Sequence, residues 1–318
     1  MPTEFASVAI IVAVCCLALT LLDLAVVALL TWLLHLSFKK FFLYGLLTLL
    51  LPLLLIGYGI FIERNIFYVK RVEITLPTLP ESFDGYRIVH LSDIHSRSFR
   101  HRHRALARCV ERVNGLNPDL IAFTGDIVTL NSAELADTRP ILSRLHARHG
   151  VVSVIGNHDY CTYGHEPDGL QQVVSLERGM GWQVLCNDHI ILHQGTDSLA
   201  VVGVENISAS RHFPTTGNLA QALKGTRGMF VLLLSHDPTH WEGEVVGTDI
   251  PLMLSGHTHA AQTSLLGWTP ARYFYNQYKG LYEKMGQHLY INQGLGETIF
   301  PARIGAPPEI TLITLRKH

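Results

Sequence analysis

Residues 87–126 read RIVHLSDIHSRSFRHRHRALARCVERVNGLNPDLIAFTGD, and the order of apolar and polar residues in that stretch decides the fold class. Residues 87–91 and 120–124 are brief apolar runs of strand length. Between them Leu106, Cys109, Val110, Val113 and Leu116 recur at the spacing of one helix face, and the turn-forming NGLNP closes that helix. Strand, helix, strand is a βαβ unit, the building block of layered α/β domains. Each strand runs directly into polar residues: Asp93 and His95 after the first, Gly125 and Asp126 after the second.

The same grammar repeats downstream. An apolar run at 151–155 leads into GNHD (156–159), one at 231–234 into SHD (235–237), and one at 252–254 into GHTH (256–259); a further run lies at 199–204. Ligands of open α/β sheets bind beyond the carboxyl ends of the strands, so these clusters are expected to converge. Residues two apart in an extended segment point to one side, which predicts that Asp93 pairs with His95, and His257 with His259, each pair on a single ion. Glycine before Asp126, Asn157 and His257 lets the backbone turn or approach an ion closely. Carboxylate, imidazole and amide ligands together suit divalent Mn first, with Fe or Zn as alternatives, better than a thiolate zinc or an all-oxygen calcium site. Taken singly each cluster reads as a turn or as a buried histidine satisfied by carbonyls. The ordered series at strand ends is what carries the metal reading.

Composition divides the chain. Formal net charge is -1 over 318 residues, which argues against a general affinity for nucleic acid. Residues 8–36 and 41–62 are almost continuously apolar, each longer than the roughly 20 residues that cross a bilayer. A cleavable signal peptide fits poorly, because residues 1–7 hold no Lys or Arg and the apolar region is too long. The expectation is a two-helix transmembrane anchor over 1–65 and a catalytic domain over 66–318. Asp23 lies inside the first span and is expected to face the partner helix or be protonated. Lys39 and Lys40 in the turn are outnumbered by Arg64, Lys70 and Arg71 after the second span, favouring a cytoplasmic domain. The five cysteines show neither metal spacing nor a disulfide framework.

The series DIH, GD, GNHD, SHD, GHTH resembles the calcineurin-like metallophosphoesterases over about residues 86–315, and the ending QGLGETIFPARIGAPPEITLITL is similar to that of their bacterial membrane-associated members. The resemblance implies a four-layer α/β/β/α sandwich and a binuclear centre. It also implies Asp93, His95 and His259 on a first ion, Asn157, His236 and His257 on a second, Asp126 bridging both, and His158 protonating or stabilising the leaving oxygen. Asp159 either orients His158 or caps a turn. Relatives carry two glycines where this chain has Ala260 and Ala261, so crowding is expected in that loop. Phosphoprotein phosphatases of the superfamily carry an Arg soon after Gly-Asp and a Glu after Asn-His; GDIVTL and GNHD lack both, which disfavours a phosphoprotein substrate.

The substrate expected from this resemblance is a phosphodiester or pyrophosphate. A membrane anchor makes a lipid-linked one attractive, such as UDP-2,3-diacylglucosamine, with polyprenyl pyrophosphates and glycerophosphodiesters open. Arg97, Arg100, Arg102 and Arg104 are placed either to meet a phosphate or lipid head group, or on a solvated helix start. Trp268, Tyr273, Phe274 and Tyr278 are either an apolar wall beside the metals or core. The rival readings are a catalytically silent membrane scaffold and a one-metal binding protein.

Overall fold

The structure, a computed structural model, describes residues 2–35 and 37–317. Two long helices come first, α1 (Pro2–Leu33) and α2 (Phe38–Phe61). The remaining elements are β1 (Tyr68–Thr75), β2 (Arg87–Leu91), α3 (His103–Asn114), β3 (Leu120–Phe123), α4 (Leu135–Leu142), β4 (Val151–Ser153), α5 (Gly169–Arg178), β5 (Gln183–Val184), β6 (Asp188–Gln194), β7 (Asp197–Gly203), α6 (Leu219–Ala222), β8 (Phe230–Leu234), β9 (Leu252–Ser255), β10 (Gly280–Lys284), β11 (Gln287–Ile291) and β12 (Glu309–Arg316). The strands form two six-stranded sheets, ordered β1-β12-β2-β3-β4-β5 and β10-β11-β9-β8-β7-β6. In the first, β2 to β5 run parallel and β12 pairs antiparallel with β2. In the second, β7, β8, β9 and β11 run parallel, flanked by antiparallel β6 and β10.

Strand alternation builds the core in three layers. Ile88 of β2 and Leu120 of β3 face inward with Leu199, Leu232, Leu252 and Tyr290 from the other sheet. Their neighbours Val89 and Ile121 face outward, onto Leu106, Val110 and Val113 of α3 and Val173 of α5. On the second sheet Val202, Leu233 and Met253 face outward, onto Leu219 of α6 and Trp241. Each buried aliphatic contributes about 1.5–3 kcal/mol, so a sheet covered on both faces is where near-continuous apolar runs belong. The order is helix, sheet, sheet, helix.

The six strands expected from sequence are β2, β3, β4, β7, β8 and β9, within two residues at each end. Those missed are the edge or hairpin strands β1, β5, β6, β10 and β11, and β12, which lies buried inside the first sheet between β1 and β2. β1 buries only Ile74 fully, and β10 only Gly280, so neither has the apolar run that identifies a central strand.

Helices α1 and α2 pack antiparallel, with Gly45 against Leu24 and Val27. Thr48 donates to Asp23 at 2.8 Å, so the carboxylate does face the partner helix. Among the described residues, Lys39–Asn65 is the one helical run long and apolar enough to cross a membrane, and Thr20–Leu33 is a shorter apolar helix. The expected first span ended at Leu36, which lies outside the described residues. Just past α2, Glu63 accepts from the Gly305 amide at 2.9 Å and Arg64 donates to the Pro301 carbonyl at 2.9 Å. The helix end is thereby fastened to the segment between β11 and β12.

Candidate metal centre

The seven candidate ligands lie on loops at one end of the two sheets. Past β2 and β3 the backbones stay paired: Asp93 N–H donates to Gly125 O at 2.9 Å and His95 N–H to Asp126 O at 3.0 Å. His236, following β8, reaches across to the first sheet and donates from Nδ1 to Thr124 O at 2.6 Å. The His257 amide, following β9, donates to Asp93 Oδ2 at 3.0 Å. Two glycines make this approach possible. A Cβ at Gly156 would stand 2.2 Å from Asp126 Oδ1, and one at Gly256 2.3 Å from Asp93 Oδ2.

Spacing in extended backbone is not what brings the pairs together. Asp93 (φ 50°), His95 (φ 45°), Asp126 (φ 59°), His257 (φ 71°) and His259 (φ 50°) all adopt the left-handed conformation, costly for residues with a side chain. Tight loops, rather than strand alternation, aim these groups. Consequently His257 and His259 part company: Asp93, His95 and His259 form one cluster, and Asp126, His236 and His257 form another. The expectation from spacing that both histidines share one ion is corrected here; Asp93 and His95 do stay together.

In the first cluster His259 Nε2 lies 3.2 Å from Asp93 Oδ1 and 3.1 Å from His95 Nε2. In the second, His236 Nε2 lies 3.1 Å from Asp126 Oδ2 and 3.2 Å from His257 Nδ1. Asp126 Oδ2 is also 3.7 Å from His95 Nε2, so this carboxylate stands between the clusters. Asn157 lies buried between Gly156 and His158, and the His158 amide donates to Asp126 Oδ1 at 2.8 Å. The oxygens Asp93 Oδ1 and Asn157 Oδ1 are buried without a hydrogen-bond partner. Orphaned acceptors of this kind cost folding energy unless something else satisfies them. Beside several imidazole nitrogens, the group they fit is a divalent cation.

Charge agrees with that fit. Burial works against a charged His236, yet Asp126 and then Asp93 outweigh it and raise its pKa to about 10. Burial pushes Asp126 and Asp93 upward, but the surrounding histidines, chiefly His236 for Asp126 and His259 for Asp93, hold both below the usual carboxylate range. Burial drives His95 well below an ordinary histidine. The pocket thus draws positive charge between two buried carboxylates.

His158 borders this group, its ring 5.0 Å from that of His95 and edge-on. Its Nδ1 donates to Thr129 O at 2.7 Å. Asp159 makes no such contact. Its carboxylate instead accepts from the amides of Gly156, Asp126, Ile127 and Val128 at 2.7–3.2 Å, stapling two loops, which selects the capping role of the two expected.

Sequence reasoning passed over three neighbours. Thr129 holds His158, Tyr275 places its hydroxyl 2.9 Å from His257 Nε2, and Arg303 lies fully buried with Nη2 3.3 Å from His259 Nδ1. Tyr275 and Arg303 carry no spacing signal, because each arrives from a distant loop, and Thr129, in the loop of Asp126, acts through a backbone carbonyl that any residue supplies. Among the arginines, Arg102 is taken by Glu297 at 3.0 Å and by the Arg64 carbonyl, so its role is structural. Trp268, Tyr273 and Phe274 are exposed rather than core.

Comparison with known proteins bears on this geometry. The family model described as calcineurin-like phosphoesterase matches residues 86–261. The metallophosphoesterase YkuE of Bacillus subtilis is 30% identical over 275 residues, covering 82% of this chain and 89% of its own length. A Danio rerio protein named transmembrane protein with metallophosphoesterase domain is 33% identical over 283 residues, 85% of this chain and 62% of the zebrafish protein. The UDP-2,3-diacylglucosamine pyrophosphatase LpxG of Chlamydia trachomatis is 26% identical over 314 residues, 79% of this chain and 90% of its own.

Proposed function

Because the chain belongs to the calcineurin-like phosphoesterase family, and is thereby a metal-dependent phosphoester hydrolase, we propose that it is a membrane-anchored enzyme cleaving a phosphodiester or pyrophosphate at a binuclear centre. Asp93, His95 and His259 hold one ion, Asn157, His236 and His257 the other, and Asp126 contributes to both. The observation that carries this reading is the pair of buried orphan acceptors, Asp93 Oδ1 and Asn157 Oδ1, beside the imidazole nitrogens of two clusters joined by Asp126. Bound there, two divalent cations supply Lewis acidity to the phosphoryl oxygens and bring the pKa of a coordinated water from about 16 toward about 7.

The chain's own residues supply the rest. With Nδ1 committed to Thr129 O, His158 has Nε2 as its exchangeable position, and in the protonated ring this is the atom that passes a proton to the leaving oxygen. Tyr275 and Arg303 hold His257 and His259 from behind.

Residues 1–65 form the anchor and 66–318 the catalytic domain. Two spans are favoured by the apolar run at Lys39–Asn65 and by the Asp23–Thr48 hydrogen bond, which gives a carboxylate inside α1 a partner on α2. Charge balance favours the cytoplasmic side, and the resemblance to bacterial membrane-associated members favours a bacterial inner membrane. Likeness to LpxG, weak as 26% identity is, makes a lipid-linked pyrophosphate of the UDP-2,3-diacylglucosamine kind the first substrate to assay.

The full-length chain in nanodiscs with Mn is to be assayed on bis-p-nitrophenyl phosphate, UDP-2,3-diacylglucosamine and a polyprenyl pyrophosphate, with a chelator control. Activity is expected to vanish with chelator. His158→Ala is expected to keep its metal while losing about 10²- to 10⁴-fold in turnover. Wild-type turnover by His158→Ala would remove the proton-donor role.

A further inference from the structure

We propose that the loop 265–274 inserts into the same bilayer that α2 enters, setting the mouth of the metal centre against the membrane surface. This rests on the membrane reading above and adds a contact to it. The loop begins with a tight turn in which Leu265 and Trp268 exchange both backbone hydrogen bonds at 2.9 Å. Leu266 and Gly267 at its tip are left-handed (φ 50° and 85°), and Leu266 is fully exposed. A β-turn tip in water favours glycine or asparagine at such φ values; a leucine there answers to something apolar outside the chain. Trp268, Tyr273 and Phe274 continue the surface, with Phe274 79% exposed, and Ile299 adds another 78% exposed side chain.

Position identifies what that something is. The Ser264 amide donates to Ile304 O at 2.8 Å, and Arg303 N–H donates to Gly59 O, 3.3 Å away and two residues before the end of α2. A side chain at Gly59 would meet Ile304 at 2.8 Å, so helix and segment are in direct contact. Phe61 and Ile62, where the helix leaves its apolar stretch, are themselves exposed. The loop therefore sits beside the point where α2 passes out of the membrane, and it is rich in the aromatic residues that favour bilayer interfaces.

The inner side of the loop reaches the site. Thr269 Oγ1 donates to Ala260 O at 2.5 Å, immediately after His259, and Tyr275, next to Phe274, meets His257. A phosphate carried on acyl or prenyl chains would reach the ligands with its chains still in the bilayer.

Trp268 reports on this directly. Trp182 and Trp241 are buried, while Trp32 of α1 is 72% exposed and is removed as Trp32→Phe. The full-length chain is placed in nanodiscs of phosphatidylcholine or of its 6,7-dibromo form, and tryptophan emission is compared. The Trp268 contribution, read as the difference between Trp32→Phe and the Trp32→Phe/Trp268→Phe double variant, is expected to be lost in the brominated lipid. If it persists while Trp32 in a Trp268→Phe chain is quenched, the loop stays in water and the proposal falls, leaving the anchor intact. If neither tryptophan is quenched, the anchor and the loop proposal fall together.

Discussion

Replacing Gly256 by alanine tests how tightly the metal loops are built. Gly256 is outside the left-handed region, so alanine suits its backbone and the effect is steric alone. The added Cβ would stand 1.8 Å from Ser92 Oγ and 2.3 Å from Asp93 Oδ2. Restoring even a tight contact of about 3 Å moves the first oxygen by about 1.2 Å and the second by about 0.7 Å. Ser92 can rotate, giving up the hydrogen bond it accepts from Thr124 at 2.8 Å. Asp93 cannot retreat without losing the His257 amide at 3.0 Å and shifting Oδ1 away from His259. Overpacking of this kind costs about 1–3 kcal/mol in stability. A displacement near 1 Å at a reacting centre costs about 10²-fold in rate. Gly256→Ala is therefore expected to fold with a lowered midpoint, to bind less metal, and to lose about 10²-fold in kcat/KM on bis-p-nitrophenyl phosphate. Thermal denaturation, metal analysis and steady-state kinetics on one preparation separate these effects. Full activity with full metal content would refute the close approach of Gly256 to Asp93 on which the reasoning depends.

Two further substitutions probe the loops and the core. Ala261 is exposed and left-handed (φ 51°, ψ 27°), where a β-carbon costs about 1–2 kcal/mol and glycine returns about 0.5–1 kcal/mol of that in chain entropy. Ala261→Gly should raise the thermal midpoint by about 2 °C for a domain of this size, and a lower midpoint would contradict the strain. Glu177 is fully buried, and burial, with the neighbouring Asp159, raises its pKa well above the ordinary glutamate value. The folded chain then keeps a proton that the unfolded chain releases above about pH 4.3, so this contribution to stability is complete below that pH and is lost as pH rises through the folded pKa. Glu177→Gln, neutral throughout, should melt above wild type at pH 8, by a margin that shrinks toward pH 5; a margin independent of pH would show that Glu177 does not titrate this way.

How much was legible follows from burial. β2 and β3 could be read because both faces are covered, making their runs apolar throughout, and α3 because Leu106, Val110 and Val113 share one buried face. β1 and β10 at the sheet edges alternate weakly and gave no comparable signal. All seven candidate ligands follow legible strands; the structure gathers six of them into two clusters, and Asn157 lies buried in the loop that packs against Asp126. Their division between clusters was not readable from spacing, because it depends on left-handed turns at His257 and His259 that no pairwise rule anticipates. The relatives' glycines offered the one hint of that backbone: Ala260 and Ala261 are left-handed too. Arg303 and Tyr275 reach the site only through tertiary contact, and for such residues sequence proximity carries no information.

The central claim is that Asp126 joins two cation sites into one centre. Metal content of the purified full-length chain, by plasma mass spectrometry after reconstitution with Mn and removal of free ions, tests it most directly. The expected result is about two ions per chain in the wild type and a collapse of both in Asp126→Ala, whose shared carboxylate is gone. One ion or none in the wild type, or an Asp126→Ala chain that still carries two, would contradict the account.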